Sequence, residues 1–192
     1  MTQRIRIVAF GDSLTEGYQS PSDANPLGQS TPYGRFLQDR LGGSVEVLVR
    51  GVCGERTEDM ARRVEADILA LNPDDVVILG GTNDLGWGVP PEKIMRNLTG
   101  LYERTQAAGI RSTAVTVPSI RGFDDMIAPR IVLNRLIQDR CAERKMACVD
   151  LFSATADPDS QRLSLRYASD GLHLNTAGYR LLADLVYEQV SR

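Results

Sequence analysis

Short apolar segments alternate with amphipathic helical segments along almost the whole sequence, and this alternation limits the possible fold more than any other feature. The apolar segments have the length of strands and are near-continuous in β-branched and aliphatic residues, as in strands buried on both faces. Such parallel strands need helices on both sides and right-handed crossovers. We therefore expect an α/β fold, a flavodoxin-like three-layer α/β/α sandwich with a five-stranded parallel sheet in the order 2-1-3-4-5. The predicted strands are Ile5 to Phe10, Val45 to Val49, Val76 to Leu79, Thr113 to Val117 and Cys148 to Leu151.

The helical segments lie between and after these strands and carry apolar residues three and four positions apart. Thr57 is predicted to cap the second helix, Gly109 to stop the third and Asn175 to cap the last. The first helix is predicted over Tyr33 to Leu41, and the apolar faces of the others are Met60, Val64, Ile68 and Leu71; Ile94, Leu98 and Leu101; Leu133, Ile137 and Cys141; and Leu182, Leu185, Val186 and Gln189.

Length and charge restrict the class of protein. The 192 residues are 42% hydrophobic, which suits one domain over residues 1–192 with a substantial core. The formal net charge of −3 provides no basic stripe, so neither nucleic acid nor a membrane surface is an expected partner. The first apolar run contains arginines and is too short for a signal segment, which favours a cytoplasmic protein. Nothing in the sequence predicts an oligomeric state.

The cysteines give no sign of a metal site or a disulfide framework. Cys53, Cys141 and Cys148 are odd in number and lack the spacing of zinc ligands, as expected of free thiols in a reducing compartment. Cys53 is interpreted as a small buried thiol, in preference to a thiol nucleophile. No cofactor is predicted.

Loops rich in Gly, Pro, Ser and Asn follow the predicted strands. Because all strands of a parallel sheet end at one edge, these loops share that edge, where ligands bind in such folds. We expect the substrate there. The loops are Gly17 to Pro32, Gly86 to Pro91, Ser119 to Pro129 and Ser153 to Gly171.

Four short motifs follow the strands at this edge: "FGDSLTEG", "RGVCGERT", "GGTNDL" and "DGLH". Each has an ordinary structural explanation when it is taken alone. Ser13 suits a helix cap, Gly54 a turn, Asn83 an Asx turn, and His173, the only histidine of the chain, a surface position. Together they match one kind of chemistry.

That chemistry is nucleophilic attack by a serine. A serine hydroxyl needs a base, the base needs a partner that orients its ring, and the tetrahedral oxyanion needs preorganised donors. Ser13, His173 and Asp170 can fill the first three roles. The N–H groups of Ser13 and Gly54 and the side-chain amide of Asn83 can supply the donors. The sequence thus predicts a serine hydrolase.

The four motifs resemble the blocks of the SGNH (GDSL-type) hydrolase family, and the resemblance spans nearly the whole chain. It implies that Ser13 is the nucleophile, His173 the base and Asp170 its orienting partner. It also implies an oxyanion hole formed by the Ser13 N–H, the Gly54 N–H and the Asn83 amide. The fold that it implies is the same three-layer sandwich.

Two positions depart from the family's pattern. Val49 stands where an asparagine often opens the second block, and Leu174 stands where a proline often follows the histidine. The first departure leaves the donor role of Gly54 intact, because that role belongs to a backbone N–H. The second leaves all three members of the predicted triad in place.

By resemblance, the chain is most similar to small single-domain bacterial esterases of the family. We expect a serine esterase that acts on short-chain carboxylic esters, a small-molecule acyl ester being its partner. A thioesterase, a lysophospholipase and a carbohydrate acetylesterase of the same family remain alternatives. Tyr18, Tyr33, Trp87 and Phe123 are predicted aromatics at the rim of an open, shallow site.

Other classes fit less of the sequence. A non-catalytic flavodoxin-like FMN-binding protein would use "SLTEG" as a phosphate-binding loop, but this leaves "GGTND" and "DGLH" unexplained. An ordinary α/β-hydrolase is disfavoured because the chain has no G-x-S-x-G nucleophile elbow.

Overall fold

The computed structural model of the protein describes residues 4–23 and 25–191. A five-stranded parallel sheet forms its centre, in the order β4-β1-β5-β6-β7. A short antiparallel hairpin, β2 and β3, lies outside it. Without the hairpin, the sheet order is the predicted 2-1-3-4-5, so the flavodoxin-like prediction is confirmed. The strands are β1 Ile5–Gly11, β2 Tyr18–Gln19, β3 Gln29–Ser30, β4 Val45–Gly51, β5 Asp75–Leu79, β6 Arg111–Val115 and β7 Ala147–Val149.

The helices cover both faces of this sheet. In chain order they are α1 Ser13–Glu16, α2 Tyr33–Leu41, α3 Thr57–Asp67, α4 Thr82–Gly86, α5 Pro91–Ala107, α6 Ile127–Arg144, α7 Leu151–Thr155 and α8 Thr176–Val190. Two 3₁₀ turns, Leu69–Leu71 and Asp124–Met126, follow α3 and precede α6. Among the described residues, none of the helices has the length and apolar composition needed to span a membrane.

Alternate residues of the sheet strands point into two separate cores, which explains why the inner strands β1 and β5 are apolar along most of their length. Val8 and Phe10 of β1 pack with α3, α5 and α6 in what we call the first core. Ile7 and Ala9 of the same strand pack with α1, α2 and α8 in the second core. All four side chains are at most 1% exposed. The sheet therefore forms the middle layer of a three-layer sandwich.

Several predicted boundaries were wrong. The fourth strand of the main sheet is β6, Arg111–Val115, and not Thr113 to Val117. The fifth is β7, Ala147–Val149, and it ends earlier than predicted because Asp150 caps α7 by accepting the Ser153 N–H at 3.1 Å. Three predicted loops also contain helical residues, since α4 ends at Gly86, α5 begins at Pro91, α6 begins at Ile127 and α7 includes Ser153. At the fifth strand, the error came from an apolar run that continues from β7 into α7.

The helix signals gave mixed results. Asn175 caps α8 as predicted, accepting the Gly178 N–H at 3.0 Å. Thr57, predicted as a cap, is instead the first residue of α3, and Arg56 occupies the cap position. The Thr57 hydroxyl donates to Asp84 at 2.7 Å and accepts from Asn97 at 2.9 Å, so it bonds to neighbouring helices instead of capping its own.

Residues 1–3, Ala24 and Arg192 lie outside the described residues. They belong to the ends of the predicted domain 1–192 and to the predicted loop Gly17 to Pro32. The extent of the domain stays a prediction.

Glycines at the carboxyl ends of β1 and β4 bring α1 against the sheet. A Cβ added to Gly51 would overlap the backbone nitrogen of Glu16, and one added to Gly11 would overlap the Leu79 carbonyl oxygen and the Thr15 hydroxyl. Because α1 begins with Ser13, these two glycines determine how deeply that serine is seated.

Gly51→Ala should lower the free energy of unfolding by about 1–3 kcal/mol, because the new methyl group meets backbone that cannot rotate away. The measurement is urea unfolding followed by far-UV circular dichroism. Gly43→Ala is the matched control, since a Cβ there has no heavy atom within 4 Å, and it should change stability by less than about 0.5 kcal/mol. If the two variants unfold at the same midpoint concentration of urea, α1 can move away from the sheet freely.

Candidate active site

Ser13 lies at the junction of β1 and α1, at the carboxyl edge of the sheet. Asp12 caps α1, and its Oδ1 accepts the Leu14 N–H at 2.9 Å. Gly17 ends the helix with a positive φ of 81°. The four-residue helix therefore holds Ser13 in its first turn, with its side chain 4% exposed.

The predicted triad residues come together. Ser13 Oγ lies 3.0 Å from His173 Nε2, and His173 Nδ1 lies 2.8 Å from Asp170 Oδ2. Asp170 Oδ1 accepts the backbone N–H groups of Leu172 and His173, each at 2.6 Å. Burial alone would raise the pKa of Asp170, but hydrogen bonds from His173, Ser20 and these N–H groups hold it well below its usual range. The carboxylate is thus kept ionised beside the imidazole.

The β2 segment supports this pair from the side. Ser20 Oγ donates to Asp170 Oδ2 at 2.5 Å, and the Ser20 N–H donates to Ser169 Oγ at 3.1 Å. The Tyr18 ring meets the His173 ring edge to face, with their centroids 4.8 Å apart. Tyr18 was predicted at the rim. Ser20 was missed, because no local signal distinguishes one serine in a polar loop.

Gly54 lies in the turn after β4, and Asn83 is the second residue of α4, after β5. Asn83 Nδ2 donates to the Glu55 carbonyl oxygen at 2.8 Å and lies 3.5 Å from Asp12 Oδ2. Gly54 has a φ of 80°, and a Cβ there would have no heavy atom within 4 Å. Its backbone conformation, more than lack of space, explains the glycine. Arg63 of α3 holds this loop, bonding Glu55 Oε2 at 2.6 Å and the Gly11 carbonyl oxygen at 2.7 Å.

A serine hydroxyl in contact with an imidazole that a carboxylate orients, beside two possible oxyanion donors, can perform acyl transfer. The model of the GDSL-like lipase/acylhydrolase family matches residues 9–181. The chain belongs to this family. The match covers all four motifs, and the alternative of an FMN-binding protein is set aside.

Of three curated relatives of this GDSL-like acylhydrolase, two are esterases and one is an uncharacterized lipoprotein. It is 32% identical to the lipoprotein YqeF of Bacillus subtilis over 60% of this chain, and it spans only 50% of that lipoprotein. It is 29% identical to an arylesterase of Vibrio mimicus, over 69% of this chain and 68% of the relative. It is 24% identical to an acetylxylan esterase of Geobacillus stearothermophilus, over 93% of this chain and 90% of the relative.

Solved structures agree on the fold. A GDSL-like lipase of Bacteroides thetaiotaomicron superposes with a TM-score of 0.83, covering 100% of this chain and 90% of its own, at 21% identity. At that identity the likeness concerns the fold alone.

A buried carboxylate fixes the helix that carries Asn83. Asp84, 2% exposed, accepts the Thr57 N–H at 2.9 Å and the Thr57 hydroxyl at 2.7 Å. Asn97 of α5 donates to the same hydroxyl at 2.9 Å. These bonds tie α4 to α3 and α5. The "GGTND" motif contains Asp84, but only the fold identifies Thr57 as its partner.

Two predictions about side chains near the site were wrong. Cys53 is exposed and not buried, because it lies in the open turn before Gly54. Desolvation and the nearby carboxylates of Glu16 and Asp12 raise its thiol pKa, which disfavours the nucleophilic thiolate. Tyr33 is fully buried in the second core and is not a rim aromatic.

The other predicted rim aromatics, Tyr18, Trp87 and Phe123, are exposed. Among residues 4–23 and 25–191, no cluster of three or more His, Cys, Asp or Glu side chains could hold a metal ion.

Asp12 is a buried carboxyl group directly beneath the site. Its side chain is fully buried, and desolvation raises its pKa from 3.8 to about 7. The Leu14 N–H and the charge of His173 oppose this shift, whereas the Asp84 carboxylate adds to it. Near neutral pH the folded protein therefore holds a proton here that an exposed aspartate would release.

Asp12→Asn should alter how stability depends on pH. Because the pKa of Asp12 is higher in the folded than in the unfolded protein, the folded wild type binds this proton more tightly, and the group's contribution to stability falls as pH rises from about 4 to about 7. The variant cannot lose that proton. Its unfolding free energy minus that of the wild type should rise between about pH 4 and about pH 7, measured by urea unfolding.

The exposed Asp23 provides the matched control, as Asp23→Asn, for the exchange of carboxylate for amide. A difference that stays flat for Asp12→Asn over the same pH range would mean that Asp12 does not hold an extra proton.

Proposed function

We propose that this GDSL-like acylhydrolase is a serine esterase for short-chain carboxylic esters. The contact that carries the proposal is the 3.0 Å approach of Ser13 Oγ to His173 Nε2, whose other ring nitrogen meets Asp170. This arrangement supports Ser13 as the nucleophile and His173 as the general base.

The proposed reaction has two halves. Ser13 Oγ attacks the ester carbonyl carbon while His173 Nε2 takes the hydroxyl proton, and His173 then gives that proton to the departing alcohol oxygen. Water enters and attacks the acyl-enzyme in the same way, releasing the acid and restoring Ser13. Asp170 holds the ring tautomer through Nδ1 and stabilises the imidazolium that forms in each half.

The oxyanion of each tetrahedral intermediate needs donors already in place. The Ser13 N–H belongs to the first residue of α1, where backbone N–H groups have no partner within the helix, and the Gly54 N–H lies in an exposed turn. Asn83 Nδ2 carries two hydrogens, of which one bonds the Glu55 carbonyl oxygen. The other has only the 3.5 Å approach to Asp12 Oδ2, so it can turn to the oxyanion. A donor of this kind is worth about 10²–10³ in turnover.

The preference for short acyl groups rests on exposure. Trp87 is 77% and Phe123 is 63% exposed, so these large apolar side chains stand in solvent instead of lining a closed channel. Each methylene gains about 0.8 kcal/mol only if it is buried. A long acyl chain would gain little here. The arylesterase and acetylxylan esterase names of two relatives point in the same direction.

Ser13→Ala should reduce ester hydrolysis to near background while the protein stays folded, because the nucleophile and the base act as a unit. The assay is p-nitrophenyl acetate hydrolysis, with circular dichroism to check folding. Ser44→Ala, at an exposed serine before β4 at the opposite edge of the sheet, is the control and should keep full activity. An organophosphonate should label the wild type at Ser13. A label found on another residue would show that Ser13 is not the nucleophile.

Activity on p-nitrophenyl esters should be highest from acetyl to butyryl and fall with longer straight chains, measured as kcat/KM. A preference for dodecanoyl or longer would favour the lysophospholipase alternative. Faster hydrolysis of acyl-CoA or of acetylated sugars would favour the thioesterase or the carbohydrate acetylesterase.

A further inference from the structure

Trp87 is the only tryptophan of the chain, and its side chain stands 77% exposed at the end of α4. Single exposed apolar residues are common and need no explanation. The position of this one is unusual, because α4 is the short helix whose second residue is Asn83. The Trp87 N–H donates to the Asn83 carbonyl oxygen at 3.0 Å, so the two residues are one helical turn apart. Side chains four positions apart lie on the same face of a helix.

The backbone beneath the indole is held firmly. The N–H groups of Gly88 and Val89 donate to Leu85 and Asp84 at 2.9 and 3.0 Å, and Asp84 is bound to Thr57. Leu85 is 2% exposed in the first core. An exposed indole on an anchored turn loses little conformational freedom when a ligand packs on it, since its base is already fixed.

The segments that carry Trp87 and His173 pack on opposite faces of the sheet. Leu85, two residues before Trp87, packs in the first core, on one face of the sheet. Leu174, directly after His173, packs in the second core, on the other face. The base must reach the departing alcohol oxygen to protonate it, so the alcohol lies on the His173 side. The acyl group is then left to extend over α4.

A second exposed apolar residue borders the same side. Val52, 43% exposed, lies two residues before Gly54, and its N–H donates to the Gly11 carbonyl oxygen at 3.0 Å. Each loop that offers an oxyanion donor therefore also carries an exposed apolar side chain. The indole is the larger and the flatter of the two.

We propose that Trp87 is a specificity-determining residue that receives the acyl group and favours acyl groups with a flat ring, which makes esters of aromatic carboxylic acids a preferred substrate class. This inference rests on the proposed esterase function. In a phenylacetyl ester, one carbon separates the phenyl ring from the ester carbonyl. The ring makes the acyl group wider, but it does not make the acyl group as long as the straight chains that the open site cannot bury. It can pack against the indole in an offset or edge-to-face arrangement.

The kinetic test compares esters that share one leaving group. For p-nitrophenyl phenylacetate, Trp87→Ala should lower kcat/KM about 3- to 10-fold, mostly through KM, because stacking beyond simple burial is worth about 0.5–1.5 kcal/mol. For p-nitrophenyl acetate the same variant should change kcat/KM by less than about 2-fold. Trp87→Phe keeps a ring and should restore most of the loss. Ile5→Ala removes an exposed side chain at the amino end of β1 and should affect neither ester.

The shared leaving group separates the possible results. An equal fall for both esters would place Trp87 against the nitrophenyl alcohol and overturn the acyl-side assignment. An unchanged kcat/KM for both esters would show that Trp87 does not contact the substrate. Failure of the wild type to hydrolyse any ester would contradict the proposed function itself, which is a different result from either.

Boronic acids give an independent measurement, since boron bonds to a nucleophilic serine oxygen and its organic substituent takes the acyl position. Benzylboronic acid, in which one carbon separates the ring from boron, should inhibit the wild type more tightly than methylboronic acid and should change the fluorescence of the single tryptophan saturably. In Trp87→Ala only the inhibition by the benzyl compound should weaken, about 3- to 10-fold in inhibition constant. Equal weakening of both compounds, or unchanged fluorescence, would contradict the acyl-side contact.

Discussion

A parallel sheet covered on both faces brings the carboxyl ends of all its strands to one edge, and the site of this protein depends on that constraint. Ser13 and His173 are 160 positions apart in sequence, yet their side chains lie 3.0 Å apart. Ser13 follows β1, Gly54 follows β4 and Asn83 follows β5, which are neighbours in the sheet. These three motifs therefore meet through short connections, whereas His173 reaches Ser13 through the long segment that follows β7 at the edge of the sheet.

The two buried carboxyl groups beneath this edge of the sheet differ in the hydrogen bonds that they accept. Asp84 receives two hydrogen bonds from Thr57, whereas Asp12 receives one short bond from Leu14 and only a 3.5 Å approach from Asn83. Buried carboxylates are stable when donors replace the lost water. The better-bonded Asp84 therefore works as a structural tie. Asp12 is the group whose pKa rises to about 7, because burial outweighs its single strong bond.

The fold and most of the candidate site could be predicted from the sequence. The residues that were missed or misplaced, Ser20 and Tyr33, share one cause. Strands, their order and the four motifs follow from local patterns, so periodicity and motif chemistry predicted them. Ser20 was missed because its role comes from a partner, Asp170, that lies 150 positions away. Tyr33 was misplaced for the same reason. A tyrosine that starts a helix after a polar loop looks the same in sequence whether it faces the core or the rim.

The two halves of the site are supported differently. Asn83 stands on a helix tied to α3 by the buried Asp84–Thr57 pair. His173 stands on a loop held by Asp170, Ser20 and the edge of the Tyr18 ring, groups that are at least partly exposed. In the reaction that we propose, the oxyanion donors must be fixed before the charge develops, so rigidity is most useful at Asn83. The imidazole would exchange a proton with both the serine and the leaving group, and the groups that orient it lie at the edge of solvent.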